Sequence, residues 1–155
     1  LRFVLGKEVA QVVMEGFNPP WSWFRGNAAA TGVLLFEDGV RVHYFGSWVS
    51  FGHTTSWNGD IAIFGDQGTL SLENDLLFFT NREGQKEGIP FQKYETDGRM
   101  PALQEFCAAI QENRPPLTSL SDNLRTFALS CAGVASAKRR AWVNLEEFTQ
   151  RIEKE

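Results

Sequence analysis

One histidine of the sequence, His53, lies among residue types that suit a polyhydroxylated ligand. Residues 52–57 read GHTTSW, so its titratable imidazole is surrounded by hydroxyl groups and followed by the ring of Trp57. A neutral imidazole and hydroxyls both donate and accept hydrogen bonds, as recognition of a sugar or polyol requires. The alternative is a loop histidine that binds a backbone carbonyl. We name His53 and Trp57 as candidate substrate-binding residues.

A second candidate segment combines aromatic rings with a cation. Residues 21–26 read WSWFRG, which places the flat faces of Trp21 and Trp23 close to the guanidinium of Arg25. Indole faces pack against the apolar face of a sugar ring, and a guanidinium binds hydroxyls or a carboxylate. The alternative is a hydrophobic flap under the sheet. Trp21, Trp23 and Arg25 complete the predicted substrate-binding set.

Motifs of self-contained catalysis are missing from the sequence. It has no Gly-x-Gly-x-x-Gly, no Walker A loop and no Gly-x-Ser-x-Gly elbow. Gly65 and Gly68 lie between predicted strands and indicate a turn. His43 alternates with Arg41 and Phe45 on a strand, which favours a packed or interfacial role, and a zinc site would need further ligands at suitable spacing beside the two histidines. The sequence predicts no catalytic residue, no metal and no cofactor bound by this chain.

The elements that position these residues begin with a series of short strands. Apolar or alternating runs predict strands at residues 9–14, 30–36, 40–48, 61–64, 69–72, 76–80, 91–94 and 141–143. The Asp38-Gly39 and Asn58-Gly59 pairs are turn signals, because both types tolerate positive φ. Residues 17–27 form a long aromatic loop, and residues 81–88 are predicted as a polar loop.

Helices are predicted at the start of the chain and throughout its second half. We interpret residues 1–5 as the end of a helix that begins upstream and is closed by Gly6. Ser119 is a predicted N-cap, and Asn144 is another. One helix places Met100, Leu103, Phe106, Cys107 and Ile110 on a single face. The next is predicted to bury a stripe of Leu120, Leu124, Phe127, Cys131, Val134 and Ala135.

Strands followed by helices predict an α+β fold, an open and mostly antiparallel sheet with helices packed on one face. A length of 155 residues fits a single domain over residues 1–155. The net charge of -4, without a basic stripe, argues against nucleic acid or an anionic membrane as partner. Cys107 and Cys131 are interpreted as reduced core thiols of a cytoplasmic protein. No apolar run approaches the roughly 18 residues of a membrane span.

Several short segments, each present once, follow one another along nearly the whole chain. They are residues 1–6 (LRFVLG), 35–39 (LFEDG), 46–48 (GSW), 57–60 (WNGD), 65–70 (GDQGTL), 113–118 (NRPPLT), Phe106, and the helix end at residues 136–137. Together they resemble the C-terminal domain of the glucose–fructose oxidoreductase, inositol dehydrogenase and rhizopine-catabolism family, also named Gfo/Idh/MocA.

The resemblance implies a two-domain parent protein. An N-terminal Rossmann domain would carry NAD or NADP and a catalytic Lys, and the antiparallel sheet would supply substrate contacts and the oligomer interface. The family's catalytic Asp and His lie in a Gly-x-His-x-x-Asp type motif that would fall upstream of Leu1. No catalytic or cofactor-binding residue therefore carries over to this sequence.

The sequence thus predicts the substrate-side and oligomerisation domain of an NAD(P)-dependent oxidoreductase that acts on a sugar, polyol or related compound. Its partners would be the missing Rossmann domain and further copies of itself. A homo-oligomer is predicted through the sheet face opposite the helices, because residues 33–36 and 40–45 place apolar groups on both faces. A stand-alone ligand-binding or dimerisation module, and a non-catalytic regulator derived from the family, remain alternatives.

Overall fold

The computed structural model describes residues 1–91 and 98–152 of the chain. They divide into two compact units, residues 1–50 with 109–152, and residues 51–91 with 98–108. In chain order the elements are α1 (Arg2–Leu5), β1 (Val9–Phe17), β2 (Ala29–Phe36), β3 (Arg41–Ser47), β4 (Ile61–Phe64), β5 (Gly68–Glu73), β6 (Leu76–Asn81), β7 (Lys86–Ile89), α2 (Met100–Gln111), α3 (Leu120–Arg139), β8 (Val143–Asn144) and α4 (Leu145–Ile152). The predicted α+β class is confirmed, and the strands predicted as one open antiparallel sheet form two four-stranded antiparallel sheets.

The first unit is built on a four-stranded antiparallel sheet of order β3-β2-β1-β8. The predicted Asp38-Gly39 turn joins β2 to β3. Gly39 has φ 87, and the N–H of Phe36 donates to the carbonyl of Val40 at 2.9 Å. A residue with a Cβ would be strained at that φ, which explains the glycine. The hairpin fixes the register that pairs Leu34 with Val42.

One face of this sheet is covered by α3 and α4. The buried apolar cluster consists of Val9, Val12, Leu34, Phe36, Ala132 and Val143. Burial of such side chains stabilises a fold by about 1.5–3 kcal/mol each. Because side chains alternate along a strand, Leu34 and Val42 point towards the helices, and Val33 and His43 lie on the opposite face. The sequence predicts a homo-oligomer through the sheet face opposite the helices, and that face contains Val33, Leu35, His43 and Phe45.

Helix α3 begins at the predicted N-cap, where the Ser119 hydroxyl accepts the Asp122 N–H at 3.3 Å. The buried stripe predicted for it is wrong, because Leu120, Leu124, Phe127 and Val134 are exposed and Cys131 and Ala135 are only half-buried. The helix packs on β1 with its opposite, small-residue side. Ser136 is fully buried there and accepts the Met14 N–H at 3.0 Å. Small side chains let the helix backbone approach the sheet closely.

The two cysteines also differ from their prediction. Both are free, but Cys107 is exposed and Cys131 is half-buried, so neither is a core thiol. Their helical faces are apolar, as the spacing indicated, yet those faces are not the ones that the chain buries.

The second unit is an antiparallel meander of order β4-β5-β6-β7. Its tightest turn joins β5 to β6, where Asn74 and Asp75 have φ 51 and 61. Asn and Asp tolerate this left-handed conformation better than other non-glycine residues. Residues 86–89, predicted largely within a loop, form β7 instead. Residues 92–94 of the strand predicted at 91–94 lie outside the described part of the chain.

A charged network holds α1 against α3. The Arg2 guanidinium donates to both carboxylate oxygens of Glu8 at 2.7 and 2.8 Å, and also to Asp122 and Thr126 of α3. The hydrogen bond from Arg2, with a further one from Arg125, lowers the pKa of Glu8 to about 2, although partial burial opposes the shift. In the described residues, no helix combines the length and apolar character needed to cross a membrane.

Candidate functional site

The aromatic loop between β1 and β2 is held by its own hydrogen bonds. The indole Nε1 of Trp21 donates to the carbonyl of Val49 at 3.0 Å, and the Asn18 amide donates to the carbonyl of Phe24 at 3.0 Å. Both bonds lie within the first unit. The loop therefore presents its rings in a defined position.

The rings and the cation of this loop are open to solvent. Trp21 is 60% exposed and Trp23 is 81% exposed, which does not fit a flap packed under the sheet. Trp23 stacks on Phe24 with a centroid distance of 4.2 Å, which leaves one indole face free. Arg25 is exposed and has no hydrogen-bond or ion-pair partner within the described part of its unit. An exposed guanidinium and an open indole face on the same loop are both suited to an oxygen-rich ligand.

His53 belongs to the second unit and binds a carboxylate there. Its Nε2 lies 2.7 Å from Oδ2 of Asp60, whose Oδ1 accepts the Asn74 N–H at 3.2 Å. The bond with His53, followed by the Asn74 N–H, lowers the pKa of Asp60. Asp60 is therefore ionised at neutral pH, so Nε2 carries the hydrogen. In the neutral ring, Nδ1 is then left as an acceptor for a ligand hydroxyl.

A second carboxylate fixes the rest of this loop. Oδ1 of Asp75 accepts hydrogen bonds from the Ser56 hydroxyl and from the Asn58 amide, each at 2.7 Å. These bonds tie the loop that follows His53 to the β5–β6 turn. Trp57 lies between the two bonded residues and is 97% exposed, so its indole is free to contact a ligand.

The sequence did not identify Asp60 as the partner of His53. The two residues are seven positions apart, and the Asn58-Gly59 turn between them brings Asp60 back towards the histidine, with Gly59 at φ 72. That turn was recognised in the sequence. The signal that would have found the pair was therefore a carboxylate immediately after a predicted reversal.

The five predicted residues belong to different units. Trp21, Trp23 and Arg25 lie in the first unit, and His53 and Trp57 lie in the second. Within each unit the predicted residues lie on a single loop. His43 is exposed on the face of the first sheet opposite α3. Among the described residues, no group of three or more His, Cys, Asp or Glu side chains is arranged for a metal ion.

The cofactor implied by the resemblance does not fit the described residues. A dinucleotide site needs a parallel strand–helix–strand unit whose glycine-rich turn brings the pyrophosphate to a helix N-terminus. Every strand pair described in this chain is antiparallel. The described residues therefore do not form a site of this kind for a pyrophosphate.

Comparison with known proteins gives relatives at low sequence identity. No model of a known protein family matches the chain. It is similar to an uncharacterised protein of Sinorhizobium fredii, with 22% identity over 156 residues, which covers 94% of this chain and 43% of that protein.

Solved structures share the fold over nearly the whole chain. One is an oxidoreductase from Agrobacterium radiobacter in complex with NAD⁺, L-tartaric acid and magnesium, with a TM-score of 0.77, 24% identity and coverage of 94% of this chain and 46% of that one. Another is a UDP-N-acetylglucosamine 3-dehydrogenase from Acidithiobacillus ferrooxidans, with a TM-score of 0.74, 18% identity and coverage of 89% and 43%. The chain therefore has the fold of a segment that makes up less than half of each of these oxidoreductases.

Proposed function

We propose that this chain is the substrate-side and oligomerisation domain of an NAD(P)-dependent oxidoreductase that acts on a sugar, polyol or related compound. The observation that carries the proposal is the fold match, which spans 94% of this chain but 46% of an oxidoreductase that binds NAD⁺. In that arrangement a Rossmann domain outside residues 1–155 completes the enzyme. The assignment of residues 1–155 to one functional domain is part of the proposal.

Each of the two loops, taken by itself, is proposed to contact the substrate. Arg25 donates hydrogen bonds to a hydroxyl or carboxylate, and the open face of Trp23 packs against the apolar face of a ring. Nδ1 of His53 accepts a hydroxyl hydrogen while Asp60 fixes the tautomer. When bound to the parent, NAD or NADP accepts or supplies the hydride. The residues of this chain orient the carbon that loses or gains it.

The test uses the 155-residue chain and the full-length gene product that contains it. We expect the full-length protein to reduce NAD⁺ or NADP⁺ with a sugar or polyol, and the short chain to bind neither cofactor with micromolar affinity by titration calorimetry. Micromolar binding by the short chain would contradict the assignment. If the full-length gene encodes no dinucleotide-binding motif, the stand-alone ligand-binding or dimerisation module is favoured. If the full-length protein binds the cofactor but transfers no hydride, the non-catalytic regulator is favoured.

Assembly through the open face of the first sheet is proposed on separate grounds. Val33, Leu35 and Phe45 lie on the face opposite α3, and Phe45 is exposed. A solvated sheet face normally carries polar residues. In sedimentation velocity we expect an oligomer that Phe45→Glu dissociates. A wild-type monomer at high micromolar concentration would contradict the proposal.

Cytoplasmic localisation also stays a prediction, to be checked by cell fractionation.

A further inference from the structure

Helix α3 carries a second apolar face, on the side away from the sheet. Its residues are spaced four, three, four and three apart, and most are exposed, with Leu120 at 77% and Phe127 at 66%. We name this face the α3 seam; it consists of Leu120, Leu124, Phe127, Cys131 and Val134. Such spacing is that of the a and d positions along which one helix packs against another.

The positions on both sides of the α3 seam are uncharged and mostly small. They are Ser121, Asn123, Ala128, Ser130, Ala135 and Ala137. Small flanking side chains let the backbone of a second helix approach closely. On the opposite side, Ala132 and Ser136 are already buried against the sheet. A helix that lacks a charged face in its middle turns is typical of an interior layer with neighbours on both sides.

The charges of α3 lie at its ends and margins. Asp122 and Arg125, in its first two turns, are bonded to Arg2 and Glu8. Lys138 and Arg139 occupy the last turn, where cations complement the helix dipole. None of these four charges interrupts the α3 seam between Leu120 and Val134. The seam is therefore free of the charged residues that normally keep a helix face in water.

We infer that an apolar helix from the rest of the parent polypeptide covers the α3 seam, so that α3 becomes the middle layer between that helix and the sheet. The inference rests on the proposed function, which supplies a parent longer than this chain. The matched oxidoreductase structures have more than half of their length outside the matched region. That length is sufficient for a separate domain with its own helices.

A helix of the same polypeptide fits the α3 seam better than a second copy of this chain. Helices that pair with identical partners usually fix the partner by charges beside the seam, and here those positions are neutral. The seam spans about 21 Å of a helix about 10 Å wide. That is on the order of 200 Å² in projection, a small share of the roughly 800 Å² that each partner buries in a stable complex. A tethered helix avoids most of the entropic cost of association.

The first test compares one substitution in two proteins. Phe127→Glu should lower the melting temperature of the full-length gene product by roughly 5–10 °C, because it places a charge in a buried helix contact. In the 155-residue chain, where Phe127 is exposed, the shift should stay within about 2 °C. Phe127→Leu is the matched control, since it keeps an apolar side chain at the same position and should preserve the full-length melting temperature to within about 2–3 °C.

The second test uses Cys131 without changing the fold. Its modification by a thiol reagent, followed by peptide mass spectrometry, should be at least about tenfold slower in the full-length protein than in the short chain, because opening of the contact limits the reaction. Equal rates would overturn the inference, as would equal melting shifts for Phe127→Glu in both proteins. If the 155-residue chain forms a dimer that Phe127→Glu dissociates, the α3 seam binds a second copy instead. A gene that encodes only residues 1–155 would also exclude a helix from the rest of a parent polypeptide.

Hydride transfer by the wild-type full-length protein separates this inference from the proposed function. An active enzyme in which Phe127→Glu has no effect would overturn the inference alone. An inactive protein that shows the melting shift and the protection of Cys131 would overturn the function alone.

Discussion

The two units of the chain contain similar four-stranded antiparallel sheets but differ in how they bury apolar surface. In the first unit, Val12, Leu34 and Phe36 are buried beneath α3 and α4. Among the described residues of the second unit, Ser71, at 9% exposure, is the one that is buried, and no apolar side chain is buried there. The first unit thus has a core of its own. The second relies on strand pairing and on turns held by carboxylates.

This difference indicates which unit contributes more to the stability of the chain. A sheet without a buried apolar layer is marginal by itself, since burial is the main favourable term in folding. Its loop residues can therefore be selected for ligand contacts more freely than core residues can. In the second unit the His53–Asp60 pair and the bonds to Asp75 join polar side chains of separate chain segments. Both lie on the loops at the ends of the strands.

The largest expected effect separates the two units directly. Phe36→Ala removes a side chain that is 1% exposed in the core of the first unit and should destabilise the chain by about 3–5 kcal/mol. Phe64→Ala, at an exposed position of β4 in the second unit, should change stability by less than about 0.5 kcal/mol. Urea denaturation followed by circular dichroism measures both. Equal losses would show that the second unit has a core of comparable strength.

Local patterns in the sequence were sufficient for most of the fold. The apolar runs at residues 30–36 and 61–64 predicted β2 and β4, and the Asp38-Gly39 signal predicted the hairpin. The strand at 86–89 (KEGI) was missed because it contains a glycine and two charges, and pairing with β6 overrides its weak propensity.

Tertiary arrangements were less accessible to the sequence. The stripe of α3 was identified correctly as apolar, but its side was reversed, because the helix buries its small residues, Ala132 and Ser136, instead. The spacing of apolar residues along a helix shows that one face needs a partner, but it does not show which partner that is. The site was predicted as two loops, and the Asn58-Gly59 turn was recognised, but the turn signal alone does not show which side chain the reversal brings to His53.

The next expected effect concerns the substrate contacts proposed in the two units. Arg25→Ala in the full-length enzyme should lower kcat/KM by roughly ten- to a hundredfold, because loss of a charged hydrogen bond costs about 1.5–3 kcal/mol. His53→Ala removes a neutral hydrogen bond, for which about two- to tenfold is expected. Cofactor affinity should stay unchanged in both variants. If Arg25→Ala leaves kcat/KM unchanged, or if it unfolds the protein, the aromatic loop has a structural role only.

A buried hydroxyl offers a smaller test of the first unit. Ser136 is fully buried, and its Oγ accepts the Met14 N–H and donates to the Ala141 carbonyl at 2.7 Å. Ser136→Ala leaves both backbone groups without that partner and should cost about 1–3 kcal/mol. Ser130→Ala is the control, because its hydroxyl is exposed and bonds within the same helix. A loss as large for Ser130 would show that the effect comes from helix propensity.

The smallest expected effect is the acid sensitivity of the first unit. The pKa of Glu8 is about 2 in the folded chain, against 4.5 as the usual value, mainly because Arg2 donates hydrogen bonds to its carboxylate. A depressed carboxyl pKa adds stability above pH 4.5, and that contribution is lost as the pH falls towards 2. Glu8 and its partners are partly exposed, so the contribution is modest. Glu8→Gln should therefore weaken the chain near pH 7 and flatten its stability profile between pH 5 and 2, as measured by urea unfolding at several pH values.

Asp60→Asn is the matched carboxylate control in the second unit, where His53 lowers the pKa of Asp60. Removal of that solvent-facing pair should barely change the stability of the first unit, and an equal flattening by Asp60→Asn would mean that the acid response belongs to both sheets.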